Sequence, residues 1–147
     1  MKQTRFLMAG ILTLVFAASL FAIPQNGLAK KANDSQLMKK EVYNGVPYLS
    51  GGVGIGEREH LREMYKNYDL KLMFAMQDGD YLANVGVVVE NAKGEKVLDV
   101  NSPGPWFYTK LEPGMYTVKA TAQGNTVQEA VHVSPTGMTS VIMYWKK

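Results

Sequence analysis

From residue 69 to the C-terminus, apolar positions recur at every second residue. Leu70, Leu72, Phe74 and Met76 alternate with Asp69, Lys71, Met73 and Ala75, and Val85, Val87 and Val89 alternate with Asn84, Gly86, Val88 and Glu90. A period of two marks a strand with one face buried. Turn residues interrupt it at near-regular intervals: Lys93-Gly94, Ser102-Pro103-Gly104-Pro105, Pro113-Gly114, Gly124-Asn125 and Pro135-Thr136-Gly137. The segments between them predict strands near 70–76, 85–90, 95–100, 106–109, 115–123, 126–133 and 139–145. Seven short strands and no second helix predict a mainly β fold, a seven-stranded antiparallel sandwich. Pro113-Gly114 suits the two central positions of a type II turn.

Upstream of residue 69 the period changes. Leu61, Met64, Tyr65 and Tyr68 fall at i, i+3, i+4 and i+7, while Arg58, Glu59, Arg62, Glu63 and Lys66 fill the remaining arc. This predicts one N-terminal amphipathic helix over 57–68. Glu59 and Arg62 are spaced to pair, and Glu57 and Glu59 suit the positive end of the helix dipole. The segment 43–50 mixes aromatics with breakers and reads as a short edge strand, the setting that tolerates Pro47. Residues 30–42 are polar, lysine-rich and aperiodic, as in a flexible linker. The organisation expected is thus a linker at 30–42, a helix-bearing segment at 43–68 and a sandwich at 69–147.

The first residues have a different logic. Lys2 and Arg5 precede an uncharged run at 6–23, Pro24 breaks it, and Gly27-Leu28-Ala29 places small residues at −3 and −1 of a cleavage after Ala29. This predicts a signal peptide at 1–29 and an exported chain, periplasmic or extracellular. An uncleaved anchor is the alternative, because 18 uncharged residues just reach the length that spans a bilayer. Gly10, Thr13 and Ser19 weaken that run. After cleavage no membrane span would remain.

Export changes the meaning of the charge. The whole chain carries +3, but losing Lys2 and Arg5 leaves 14 basic side chains against 13 acidic ones. Between Glu41 and Trp145 there are 8 basic and 12 acidic residues, so the body is mildly acidic and a poor match for nucleic acid. A mature chain of 118 residues buries enough surface to fold without disulfides. The absence of cysteine excludes a thiol nucleophile, an iron–sulfur ligand set, lipoprotein acylation and cysteine-ligated zinc.

The segment Leu111-Glu112-Pro113-Gly114-Met115-Tyr116-Thr117-Val118 resembles the L-x-P-G-x-Y-x-V strand-turn of carboxypeptidase regulatory-like domains, which are small transthyretin-like sandwiches. The hairpin before it sits where that family has one, with Asn91-Ala92-Lys93-Gly94 in place of the family's D-x-x-G turn. The resemblance covers about 69–145. Residues 48–54, followed by the helix, are similar to the front end of small exported bacterial proteins built on this domain. The resemblance implies a transthyretin-like sandwich and an exported compartment. One enzyme group with this fold, the hydroxyisourate hydrolases, uses histidine and arginine and ends in Tyr-Arg-Gly-Ser. This chain ends Tyr144-Trp145-Lys146-Lys147 and has no arginine after Arg62, a departure that argues against the hydrolase activity, and it shows no paired catalytic groups.

Three features are candidates for function. Gly52, Gly54 and Gly56 precede a helix N-terminus, where anions bind, but Glu57 stands where a dinucleotide fingerprint needs glycine. That segment reads as a hinge or a small-ligand site. His60 lies between Glu57 and Glu63 on one helix face, the makings of a weak metal site or merely a solvated face, and His132 points off the core face of its strand. The consecutive aromatics Trp106, Phe107 and Tyr108, and the pair Tyr144 and Trp145, place rings on both faces of their strands. One face is core; the other is an interaction surface unless the helix covers it. The expectation is a non-catalytic accessory module of the cell envelope that binds protein or glycan through these aromatics and requires no cofactor. Two alternatives stand beside it: a small-ligand, metal or anion sensor at the glycine segment and His60, and a structural subunit of a homo-oligomer.

Overall fold

The computed structural model describes residues 40–147; the predicted signal peptide and residues 30–39 of the predicted linker lie outside them. In chain order the elements are β1 (Lys40–Tyr43), β2 (Val46–Gly51), α1 (Ile55–Met64), a 3-10 turn (Tyr65–Asn67), β3 (Leu70–Met76), β4 (Val85–Asn91), β5 (Lys96–Ser102), β6 (Trp106–Thr109), β7 (Gly114–Ala122), β8 (Asn125–Val133) and β9 (Thr139–Trp145). The molecule is mainly β, with two sheets and one α-helix among the described residues. All seven expected strands form, but the described strands number nine.

The two further strands come from 40–51, where a linker end and an edge strand were expected. Asn44 (φ 46°) and Gly45 (φ 85°) both take the left-handed conformation, which a two-residue hairpin turn with native twist requires. That turn folds β1 back on β2, so residues 40–42 are strand and not linker. β2 is an interior strand, flanked by β1 and β6. Pro47 is tolerated because the β2–β6 ladder starts one residue later, at Tyr48 opposite Thr109. The proline carbonyl still accepts from the Lys110 N–H.

One sheet has the order β1-β2-β6-β3-β9 and the other β5-β4-β7-β8. Pairing is antiparallel except between β3 and β9, which run parallel, so the expected purely antiparallel pattern is corrected at that seam. The sheets pack face to face. Leu70, Leu72, Phe74, Phe107 and Met143 from the first meet Val85, Val87, Val89, Leu98, Val118 and Val133 from the second, all fully buried. These are the alternating positions of the sequence, and their burial is the main stabilising term.

Two turns show how local chemistry sets register. Asn91 Oδ1 accepts from the N–H groups of Lys93 and Glu95, both at 3.0 Å, and its amide donates to Glu95 Oε2. Asparagine thus organises the β4–β5 hairpin by its side-chain oxygen. Pro113-Gly114 does not form the expected type II turn. Gly114 is already the first residue of β7, paired with Val133, at φ 156°. The bend is held by Tyr116, whose hydroxyl donates to the Glu112 carbonyl at 2.9 Å.

Candidate functional site

The outer face of the five-stranded sheet is where the aromatic residues, the helix and the glycine segment meet. In β6 alternation sends Phe107 and Thr109 inward and Trp106 and Tyr108 outward. Outside, α1 covers them: Leu49, Leu61, Tyr68, Trp106 and Tyr108 form a second buried cluster, with Met64, Met73 and Met138 against it. Trp106, Phe107, Tyr108 and Trp145 are all buried, so of the two alternatives for the outer face of β6 it is the helix that covers it, and these four offer no exposed interaction surface. Trp145 faces the main core, edge-on to Phe74, and its indole N–H donates to the Asn125 carbonyl at 2.9 Å. Tyr144 alone of the five is exposed, at 49%.

The helix begins earlier than expected, at Ile55, and ends at Met64 before the 3-10 turn. The cause lies at its N-terminus. Glu57 is buried, and its Oε2 accepts from the N–H groups of Gly52 (2.9 Å), Val53 (2.8 Å) and Gly54 (3.4 Å). Successive N–H groups converging on one oxygen form an anion-binding nest, here at the positive end of the helix dipole. The glycine segment is therefore an anion site whose anion is the chain's own carboxylate. Gly52 makes the loop possible: at φ 92° it takes a conformation disfavoured for other residues, and a Cβ there would sit 2.9 Å from Trp106 Cγ. Gly54 caps the helix and Gly56 is exposed in its first turn.

His60 stays on the exposed side of α1, with Nδ1 3.9 Å from Glu63 Oε2. Glu57 points away into its nest and does not join them. Among the described residues no group of three His, Cys, Asp or Glu side chains is placed to hold a metal ion. His132 is exposed on β8, opposite Met115.

Around Trp106 stand three cations. Lys71 Nζ lies 4.4 Å from the ring centroid, and the guanidinium carbons of Arg58 and Arg62 lie 5.7 and 5.8 Å away. Each contact is in cation–π range. Arg58 also covers Tyr81 at 4.9 Å and donates through Nε to the Gly52 carbonyl at 2.7 Å. The expected Glu59–Arg62 pair is not among the ion pairs of the described residues; Arg62 lies over the indole instead. Burial, and then the Arg62 charge, lower the pKa of Lys71 below the ordinary lysine value. The indole Nε1 of Trp106 is buried with no hydrogen-bond partner among the described residues.

Beyond the helix the same face is open. Ala75 of β3 is paired on one side with Tyr144 of β9 and on the other with Tyr81, so the three side chains share a face. Tyr81 and Tyr144 are 47% and 49% exposed, and Ala75 between them is buried. In the next row Ile142, also exposed, stands beside Met73, which neighbours Trp106. A tyrosine–alanine–tyrosine shelf thus adjoins the cation cluster, with Arg58 common to both. Two shallow concavities lie elsewhere, one over the β4–β5 turn near Tyr116 and one between Tyr65 and Met138.

No family model matches the chain, and no curated protein is significantly similar to it. Among the described residues no helix is long and apolar enough to cross a membrane. The residues that sequence reasoning missed are Tyr81, Ala75, Lys71, Arg58 and Arg62. Tyr81 lies in a stretch without strand periodicity, and only the Ala75 pairing brings it onto the face. The two arginines looked like the solvated arc of a helix.

Proposed function

We propose that the chain is an exported, non-catalytic binding module of the cell envelope, with a transthyretin-like, carboxypeptidase regulatory-like sandwich. It binds a glycan or protein through the uncovered half of the outer sheet face. One observation carries this reading: Tyr81 and Tyr144, both about half exposed, flank the buried Ala75 on one sheet face and present an aromatic shelf. Exposed tyrosines held at low entropic cost are the side chains that binding surfaces favour. The family assignment draws support from the segment 111–118, where Leu111 and Val118 enter the core and Tyr116 clasps the bend.

The test is crosslinking in the native envelope, comparing the parent chain with Tyr81→Ala and Tyr144→Ala. Both residues are half exposed, so the variants should fold. Loss of the same crosslinked species in both is the expected result. Unchanged crosslinking by two folded variants would remove the shelf as the binding surface.

A further inference from the structure

The cation cluster says what kind of ligand the shelf suits. Three positive groups lie within 5.8 Å of the Trp106 ring centroid, and none of them is within 4.0 Å of a carboxylate among the described residues. The carboxylates of the neighbourhood are committed elsewhere or face solvent: by the shelf, Asp78 pairs with Lys147 and Asp80 is exposed. Glu57 is held by the loop N–H groups, Glu63 is nearest His60, and Glu59 is exposed. Grouped cations without counter-charges repel one another, and a bound anion relieves that cost. Arginine's planar fork is matched to a carboxylate.

We propose that this face binds an acidic sugar chain, with pyranose rings on the Tyr81–Ala75–Tyr144 shelf and a carboxylate at Arg58, Arg62 and Lys71. This rests on the binding-face reading above and deepens it. A sugar is favoured over an acidic peptide because the half-exposed side chains beside the cations are two tyrosines on one sheet face, with a small buried residue between them, and aromatic rings stack on sugar rings. Arg58 touches the rings of both Tyr81 and Trp106, so one ligand can span shelf and charge.

The experiment titrates the purified protein with tetragalacturonate, with neutral maltotetraose and with tetraglutamate, by calorimetry and tryptophan fluorescence. Tetragalacturonate should bind about tenfold or more tighter than either comparator, and added salt should weaken it. Arg62→Gln and Tyr144→Ala, both at exposed positions, should each cost about fivefold or more in affinity with the melting temperature held. Equal binding of tetraglutamate would overturn the sugar assignment, and equal binding of maltotetraose would overturn the role of charge. If nothing binds while Tyr144→Ala still abolishes the envelope crosslink, the acidic-sugar inference fails and the binding face stands. If Tyr144→Ala alters neither readout, both fail.

Discussion

The nest around Glu57 makes a sharp demand on stability. Its Oε2 holds the N–H groups of Gly52 and Val53 at 2.9 and 2.8 Å, with Gly54 a weaker third at 3.4 Å. A hydrogen bond to a charged group contributes about 1.5–3 kcal/mol, and a buried donor left without a partner costs about 1–3 kcal/mol. Val53 is exposed, so water can serve its N–H after truncation; Gly52 is buried and cannot be served so easily. Glu57→Ala should therefore cost about 3 kcal/mol, the sum of one fully lost contact and one partly replaced. Glu57→Gln keeps an oxygen acceptor but loses the charge, and should cost about 1–2 kcal/mol. Urea unfolding followed by circular dichroism measures both, and the order Ala > Gln > parent is the signature. Because the nest starts the helix that covers Trp106, the indole emission of Glu57→Ala should shift towards that of a wetter ring before global unfolding. Alanine and glutamine variants both within about 0.5 kcal/mol of the parent would show that the loop holds itself, and the argument would be wrong.

Three other outcomes follow from the same structure. Gly52→Ala meets both a φ of 92° and a Cβ 2.9 Å from Trp106 Cγ, so thermal unfolding should show a loss of about 2 kcal/mol or more; a loss near zero would mean that the loop can reroute. Tyr116→Phe removes the clasp on the Glu112 carbonyl and should cost about 1 kcal/mol in a denaturant titration, with no change in fold. Alkali should destabilise the sandwich: burial, reinforced by a hydrogen bond from Tyr48 to Glu41, pushes the Tyr48 hydroxyl up to about 12, and burial outweighs Arg62 to bring Tyr108 to about 12. Unfolded tyrosines ionise near 10, so the unfolded chain loses protons first and stability falls as pH rises from 10 to 12, by at most about 1 kcal/mol per pH unit for each tyrosine. Lys71, lowered by burial and then by Arg62, works the other way as pH rises through its folded value, and blunts the start of that fall. Urea titrations across this range, with tyrosinate absorbance as the second signal, would contradict the account if stability stayed level.

What the sequence made legible was periodicity, and what it hid was cover. Alternation at 70–76, 85–89 and 139–145 is written by the requirement that one side chain in two meet the opposing sheet, so those strands could be read directly. The hairpin at 40–51 is short and its signal, Asn44-Gly45, lies between segments too brief to show a period. The aromatic run at 106–108 is a harder case. Consecutive rings reveal that both faces of the strand are apolar, yet not which face meets water.

The helix supplies the missing information, and its path explains the asymmetry of the face. β2 and β3 are both antiparallel to β6, so α1 leaves the end of β2 and runs back over the sheet to the start of β3. The sheltered strands are those carrying Leu49, Trp106 or Tyr108, and Met73. β9 lies one strand further out, and there Ile142 and Tyr144 remain exposed. The first turns of α1, at Arg58, stand beside Trp106 and Tyr81, while its C-terminal end leads through the 3-10 turn at Tyr65–Asn67 to the start of β3, away from Ala75. The shelf at Ala75 and Tyr144 is thus left beyond the first turn of α1 and towards β9, a strand that the β2–α1–β3 crossover does not span. Its bordering cations follow from the same geometry, since Arg58 and Arg62, one turn apart on α1, both reach the Trp106 ring.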